Sequence, residues 1–505
     1  MSRSLEGAHV RVAVVGAGFA GIGAAMRLSA SGERSFAVLE RAQSVGGTWR
    51  ENTYPGVACD VPSHLYSFSF APKADWTHRF ATGKQIRDYL TACAVDRLIQ
   101  DRLHLGTSLI SAQWHEQDAR WVLHTSRGTT TASVLVLATG RFTEPRIPDI
   151  PGLGSFPGPV FHTARWQAET DVEGRRVGVV GTGASAVQLV PELVDAGALV
   201  TIFQRSAPWV LPKHNTAYTP SHQQLFAHDD GARQAHRQTI FAEMDDGFDA
   251  RLTGSAQNLE LQHQAREHLE HQVADAQLRA KLMPNYTIGC KRVLLSDRWY
   301  PALNRAEVML ENSALESVQG NLARAASGRQ HQLDALIFAT GFEAHRPPMA
   351  DSVRGHDGQR LSEHWQNGMT SYASTAVTGF PNCFLLGGPN SALGHNSALS
   401  IMEVQIEHLL SALEHLPEGQ ICEVRRSAEE DYTRQLDARA AETVWMSGQC
   451  TSWYRDSSSG RVTLLWPGTA SEFARRYSRF DPQKFFVRQA PKQTPALTAP
   501  APQHG

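Results

Sequence analysis

The chain has 505 residues, 41% of them apolar and 19% charged, with a formal net charge of −2 and a pI near 6.9. That length allows about two to four domains with ample core. A neutral balance without a lysine- or arginine-rich block gives no support to a nucleic-acid groove or an anionic membrane surface as partner. No apolar run approaches the ~18 residues that span a bilayer.

The first strand is expected to begin by about Val10, which leaves no room for a secretory leader. The apolar run Val12 to Val15 leads into Gly16, Gly18 and Gly21, then a helical stretch, then the run Phe36 to Leu39 ending in Glu40. Residues 41–80, rich in Gly, Pro and aromatics, read as a long covering loop. Residues 84–100 read as helix and 104–126 as alternating strands. Val134–Leu137 is a buried strand ending in Ala138-Thr139-Gly140. Pro145, Pro148 and Pro151 then mark a linker.

A second copy of the opening pattern follows. Val177 to Val180 lead into Gly181, Gly183 and Ala186, and the run Leu199 to Phe203 precedes Arg205. Its closing strand, Leu333–Phe338, ends in a second Ala339-Thr340-Gly341. Within this unit a polar stretch without proline from 221 to 283 predicts a helical insertion. The expected fold class is α/β: two Rossmann-like dinucleotide-binding domains with that insertion. The expected boundaries are 1–144 and 345–490 for the first domain, with 145–171 as linker. The second domain takes 172–218 and 283–344, the insertion 219–282, and a disordered tail 491–505.

Each repeat reads as strand, tight turn, helix and strand with a polar residue at the second strand's tip. Backbone N–H groups and the helix N-terminus of such a unit hold a pyrophosphate. Glu40 stands 24 residues after Gly16 (40 − 16), and Arg205 stands 24 after Gly181 (205 − 181). A carboxylate at the tip accepts bonds from a free ribose 2′-OH and repels a 2′-phosphate, whereas arginine welcomes that phosphate. The first site is therefore expected to hold FAD or NAD and the second NADP, as in a flavoprotein that takes electrons from NADPH. The cysteines are Cys59, Cys93, Cys290, Cys383, Cys422 and Cys450. None forms a CxxC or CxxxxC pair, so all six read as inert thiols in a reducing cytoplasm, with no metal site and no redox-active disulfide.

The linker carries Phe156-Pro-Gly158-Pro-Val-Phe-His162-Thr-Ala-Arg-Trp166, which resembles the FxGxxxHxxxW fingerprint of Baeyer–Villiger monooxygenases. Gln167 follows where that family has Pro or Asp. Gly46-Gly47-Thr48-Trp49 with Tyr54-Pro55-Gly56 and Cys59-Asp60 resembles the family's flavin-covering loop, with Thr53 where many members place Arg. Gly289-Cys290-Lys291-Arg292 resembles the segment that supplies the active-site arginine. Gly388-Pro389-Asn390 with Gly394-His395-Asn396-Ser397 is similar to the turn under the flavin. Trp445-Met-Ser-Gly448 and Ser452-Trp453-Tyr454 resemble the C-terminal active-site loop.

The resemblance implies that NADPH reduces FAD, that reduced flavin takes up O2, and that the resulting flavin peroxide inserts one oxygen atom into a ketone. The product is an ester or lactone. Arg292 is then the catalytic cation and Asp60 the carboxylate that orients it. Gly16, Gly18, Gly21, Glu40, Gly47, Thr48, Trp49 and Asp60 are expected around FAD. Gly181, Thr182, Gly183, Ser185 and Ala186 are expected at the NADP pyrophosphate, with Arg205, Ser206 and Lys291 at the 2′-phosphate. Trp445 and Trp453 are candidates for the flavin pocket wall or for plain core. His162 reads as a linker-holding residue or as an acid–base group. The competing function is a flavin monooxygenase that oxygenates nitrogen or sulfur, and a third is an NADPH-sensing protein on the same scaffold. Spacing does not define the ketone or the oligomeric state.

Overall fold

The computed structural model describes residues 5–95 and 97–491; beyond Pro491 the expected tail lies outside the described residues. The first sheet orders its strands 353–354, 109–115, 120–125, 128–137, 9–15, 36–40 and 103–105, with 383–385 also paired to 128–137. Its centre is parallel: Val12 pairs with Phe36 on one side and Val134 on the other. Strands covered on both faces need apolar residues at every position, and Val12 and Val14 are both 0% exposed. The helix Phe19–Ala30 buries Ile22, Ala24, Ala25 and Leu28 against one face. Strands 109–115, 120–125 and 128–137 form an antiparallel meander at the other end.

The second sheet is entirely parallel, in the order 308–311, 199–203, 176–180, 335–338 and 160–162. The last of these strands comes from the segment expected to be linker. Val160, Phe161 and His162 pair with Leu336, Ile337 and Phe338, so the fingerprint residues extend the second sheet as its edge. Trp166 packs edge-on against Phe161, 5.3 Å between ring centroids, and joins the second domain's core.

The polar stretch after residue 218 forms the helices Pro220–His228, Asp230–Asp246, Ala256–Gln272 and Ala276–Leu282. Thr219, Asp229, Ser255 and Asp275 cap them, each side chain accepting from a first-turn amide. The insertion touches both domains. Ile240 packs in the first domain's core, while Leu269 and Leu282 pack in the second's.

Asp245 fastens the insertion to the first domain. Its carboxylate accepts from the amides of Ala470 (2.6 Å) and Ser471 (3.1 Å) and from Asn396 Nδ2 (3.1 Å). Burial opposes its charge, yet the neighbouring His395 and the Ser471 and Ala470 donors win and hold its pKa well below the usual carboxyl range. A depressed carboxyl pKa adds stability above the unfolded value, and that stability is lost as pH falls through the folded value. Asp245→Asn is therefore expected to cost about 1–3 kcal/mol at neutral pH. Denaturant unfolding should show the gap to the wild type closing below about pH 4; a constant gap would show that charge is not the cause.

Candidate active site

The two glycine turns face one cleft between the domains, a cavity of about 1490 Å³. Gly16 has φ +108°, and a Cβ on it would lie 2.4 Å from the Ala138 carbonyl oxygen. At Gly21 a Cβ would lie 1.7 Å from the Gly16 oxygen. The second turn repeats the geometry, with Gly181 at φ +108° and 2.7 Å from the Ala339 oxygen. Both Ala-Thr-Gly segments thus form the floor against which a turn is pressed.

The middle glycines differ. A Cβ on Gly18 would meet only Gly47 Cα at 3.6 Å, and one on Gly183 would meet nothing within 4 Å. Their side-chain space is cleft volume. Each also N-caps its helix, and neither helix start has a side-chain cap. The first-turn amides of Phe19–Ala30 and Ala184–Asp195 are left for an anion, unlike the capped helices of the insertion. That open, uncapped pair of cradles fits two dinucleotide pyrophosphates.

The tip residues have different surroundings. Glu40 accepts from the Ala17 amide (2.8 Å) through Oε2, and from the Ala42 amide (2.9 Å) and Arg50 Nη1 (3.1 Å) through Oε1. It braces the turn as well as facing the cleft. Arg205 is exposed at the cleft rim. Lys291 Nζ donates to Ser206 Oγ at 2.7 Å, and Thr182 Oγ1 donates to the Ser206 carbonyl at 2.9 Å. Burial and neighbouring Arg205 push the Lys291 pKa down. Among the described residues, no carboxylate pairs with Arg205 or Lys291. Two clustered cations beside a hydroxyl, without a counter-charge, form an anion site.

Asp60 and Arg292 meet across the cleft. Arg292 Nε donates to Asp60 Oδ2 at 2.8 Å, and Nη2 lies 2.6 Å from the same oxygen. The Asp60 charge outweighs burial and holds the guanidinium well above its ordinary pKa. Gly47, Thr48, Trp49 and Ser185 also line the cleft, while Ala186 is buried behind the second turn. Trp49 Nε1 donates to Tyr66 Oη at 3.3 Å. Trp453 lines the cleft at 39% exposure, whereas Trp445 is buried away from the lining and serves as core. His162 is buried; its Nδ1 accepts from the Ala164 amide at 3.1 Å, and burial drives its pKa to about 4. It does not line the cleft, so it holds the edge strand 160–162.

Further contacts support the site, and of the residues that make them Gln188 and Arg251 carry no local sequence signal. Tyr54 Oη donates to Gln188 Oε1 (2.9 Å), and Gln188 Nε2 donates to the Ala58 carbonyl (2.9 Å), which sews the covering loop to the second domain. Arg251, from the insertion, is buried and donates through Nη2 to the Gly394 carbonyl at 3.0 Å. The cysteine expectation needs correction. Cys290 and Cys450 form a disulfide, and only Cys59, Cys93, Cys383 and Cys422 are free, all buried. The partners are 160 residues apart, so spacing carried no trace of them. Among the described residues there is no cluster of metal-ligating side chains, and no helix is long and apolar enough to cross a membrane.

Two nucleotide cradles opening on one cleft with a paired arginine define a two-dinucleotide flavoprotein. The pyridine nucleotide-disulphide oxidoreductase family matches residues 13–237. A Baeyer–Villiger monooxygenase of Streptomyces coelicolor is 42% identical over 98% of this chain and 96% of its own length. The crystal structure of cyclohexanone monooxygenase from Rhodococcus sp. Phi1 bound to NADP+ superposes with a TM-score of 0.85 at 26% identity, covering 96% of this chain and 100% of that one. OTEMO in complex with FAD and NADP gives a TM-score of 0.84 at 25% identity, again over 96% and 100%. The chain belongs to the Baeyer–Villiger monooxygenase family. It is an NADPH- and FAD-dependent monooxygenase.

The glycines separate folding from binding. Gly18→Val is expected to fold, because its Cβ meets only ordinary contact, yet to purify with little FAD because the side chain fills the pyrophosphate's room. Gly16→Val should fail to fold properly, given φ +108° and the 2.4 Å contact. Flavin absorbance per mole of folded Gly18→Val protein checks this; stoichiometric FAD would remove Gly18 from the cradle.

Proposed function

We propose that Arg292, oriented by Asp60, stabilises the negative charge that develops while an oxygen atom enters a ketone beside it. The observation that carries this reading is their 2.6 Å ion pair in the wall of the cleft that both glycine turns share. Bound FAD, reduced by NADPH, supplies the activation of O2. The protein's part is placement, charge and exclusion of water. The amides after Gly18 hold one pyrophosphate and those after Gly183 the other. Arg205, Lys291 and Ser206 hold the NADPH 2′-phosphate. Arg292 stays cationic at any working pH, so it needs no proton transfer to act. Asp60 takes two donors of the guanidinium on one oxygen, which fixes the plane of the fork. The Tyr54–Gln188–Ala58 seam keeps the loop that carries Asp60 in register with the second domain.

The cleft that Arg292 lines has Leu393, Met402, Phe142 and Trp453 among its apolar walls. Such walls suit a mostly apolar ketone held by shape. We place the enzyme in the cytoplasm, with four buried free cysteines in favour and the Cys290–Cys450 disulfide against.

Arg205→Ala should raise KM for NADPH far more than for NADH. A charge-assisted phosphate contact of roughly 1.5–3 kcal/mol corresponds to about tenfold to over a hundredfold. Steady-state kinetics with both nucleotides check it, and an unchanged preference would remove Arg205 from the site. Arg292→Ala should keep FAD but lose ketone oxygenation by roughly 10²–10³-fold, the cost of deleting one oxyanion donor. NADPH consumption would then yield hydrogen peroxide in place of ester. Product analysis against NADPH consumed decides, and wild-type ester yield would place the stabilising charge elsewhere.

A further inference from the structure

We propose that the Cys290–Cys450 disulfide is a reversible redox brace of the catalytic cleft. Cys290 immediately precedes Lys291 and Arg292; Cys450 precedes the Thr451–Tyr454 stretch of the cleft wall. The bond therefore joins the segment that bears the catalytic cation to the loop that bears Trp453. It crosses 160 residues of sequence at the point where both segments line the cleft.

The loop has few other fastenings there. Thr287 donates its amide to the Gly448 carbonyl (3.1 Å), and the Trp453 carbonyl accepts from His345 Nε2 (2.7 Å). Between those points, among the described residues, no hydrogen bond engages Gln449, Cys450 or Thr451. Gln449 has φ +57°, a left-handed conformation that a non-glycine residue holds only when its neighbours fix it. Around Gly448 the packing is close: a Cβ there would lie 2.6 Å from Cys290 Cβ. The disulfide is the fastening of residues 449–451.

Cys450 is also the chain's reachable cysteine sulfur, with Cys290 buried behind it. Cys450 is half-buried and lines the cleft. Cys59, Cys93, Cys383 and Cys422 are buried, and burial raises the pKa of every one of them. Buried protonated thiols react slowly. Hydrogen peroxide, the product of NADPH oxidation without oxygen transfer, is an oxidant formed in this same cleft. The two thiols give up two electrons and two protons, the S–S bond forms, and one peroxide is reduced to two waters. A dithiol reductant reverses the step by exchange, leaving two thiols and its own disulfide. Oxidised, the loop is pinned to the Arg292 segment. Reduced, residues 449–451 swing free and the cleft admits water.

This role rests on the proposed oxygenation only for one of its three readouts, the ester formed per NADPH oxidised. The experiment uses the full-length holoenzyme with FAD, either oxidised with a small excess of hydrogen peroxide or reduced with dithiothreitol, each reagent then removed. Alkylation after denaturation should find 4 free thiols in the oxidised form, as the free cysteines here number. Reduction should release the Cys290 and Cys450 peptides. In the native enzyme, trypsin should cut after exposed Arg455 about tenfold faster in the reduced form. Ester formed per NADPH oxidised should fall about tenfold on reduction, within the ~10²-fold that a 1 Å misplacement can cost. Cys450→Ser should behave as reduced whatever the treatment, and Cys422→Ser should keep the full response.

Cys290 and Cys450 remaining alkylatable after peroxide would overturn the proposal. So would equal cleavage after Arg455 in the two forms, because the brace would then hold nothing. Altered cleavage in an enzyme that makes no ester in either form would sustain the brace and reject the oxygenation reading instead.

Discussion

An ion pair across a domain boundary governs the geometry of this cleft. Asp60 belongs to the covering loop of the first domain and Arg292 to the returning segment of the second; they are 232 positions apart in sequence. Neither charge is fully buried, with side chains 23% and 34% exposed, so each depends on the other for its direction. An arginine alone on that wall would be mobile and solvated. Held by a carboxylate on one side, its remaining N–H groups keep a fixed direction, which is what electrostatic preorganisation requires.

That pair needs a fixed distance between two domains. The structure supplies it through contacts of three kinds. Tyr54, Gln188 and Ala58 form a polar seam at the covering loop. Arg165 reaches Glu51 at 3.3 Å, tying the edge-strand segment back to the first domain. The helical insertion spans both bodies, with Asp245 anchored on the start of the helix Ala470–Tyr477 and Arg251 on the Gly394 carbonyl. A helix of polar composition such as 230–246 gains its stability from these anchors and its cap, since little of it is buried.

Local features were readable in the sequence. The two turns announce themselves because Gly16 and Gly181 occupy a backbone region and a contact distance that exclude a side chain. The pattern of valines shows the parallel strands because both faces are covered. The resemblance of the Gly289–Arg292 and Cys59–Asp60 segments to family segments brought Arg292 and Asp60 together before any geometry did. What escaped depends on long-range pairing. Residues 160–162 carry no mark that makes them a strand of the second sheet and not linker. Trp445 and Trp453 sit in similar local sequence, yet one is core and the other lines the cleft, because the helix Val444–Ser447 turns the first inward. The bond between Cys290 and Cys450 is invisible for the same reason: each cysteine stands alone until the loops meet.

A double-mutant cycle on ketone oxygenation, with Asp60→Ala, Arg292→Ala and the double variant, separates a carboxylate that works through the arginine from one that works alone. If the carboxylate only orients the guanidinium, the double variant should be no slower in kcat/KM than Arg292→Ala alone. Losses that add in full would show that Asp60 works independently of the arginine and would contradict the account.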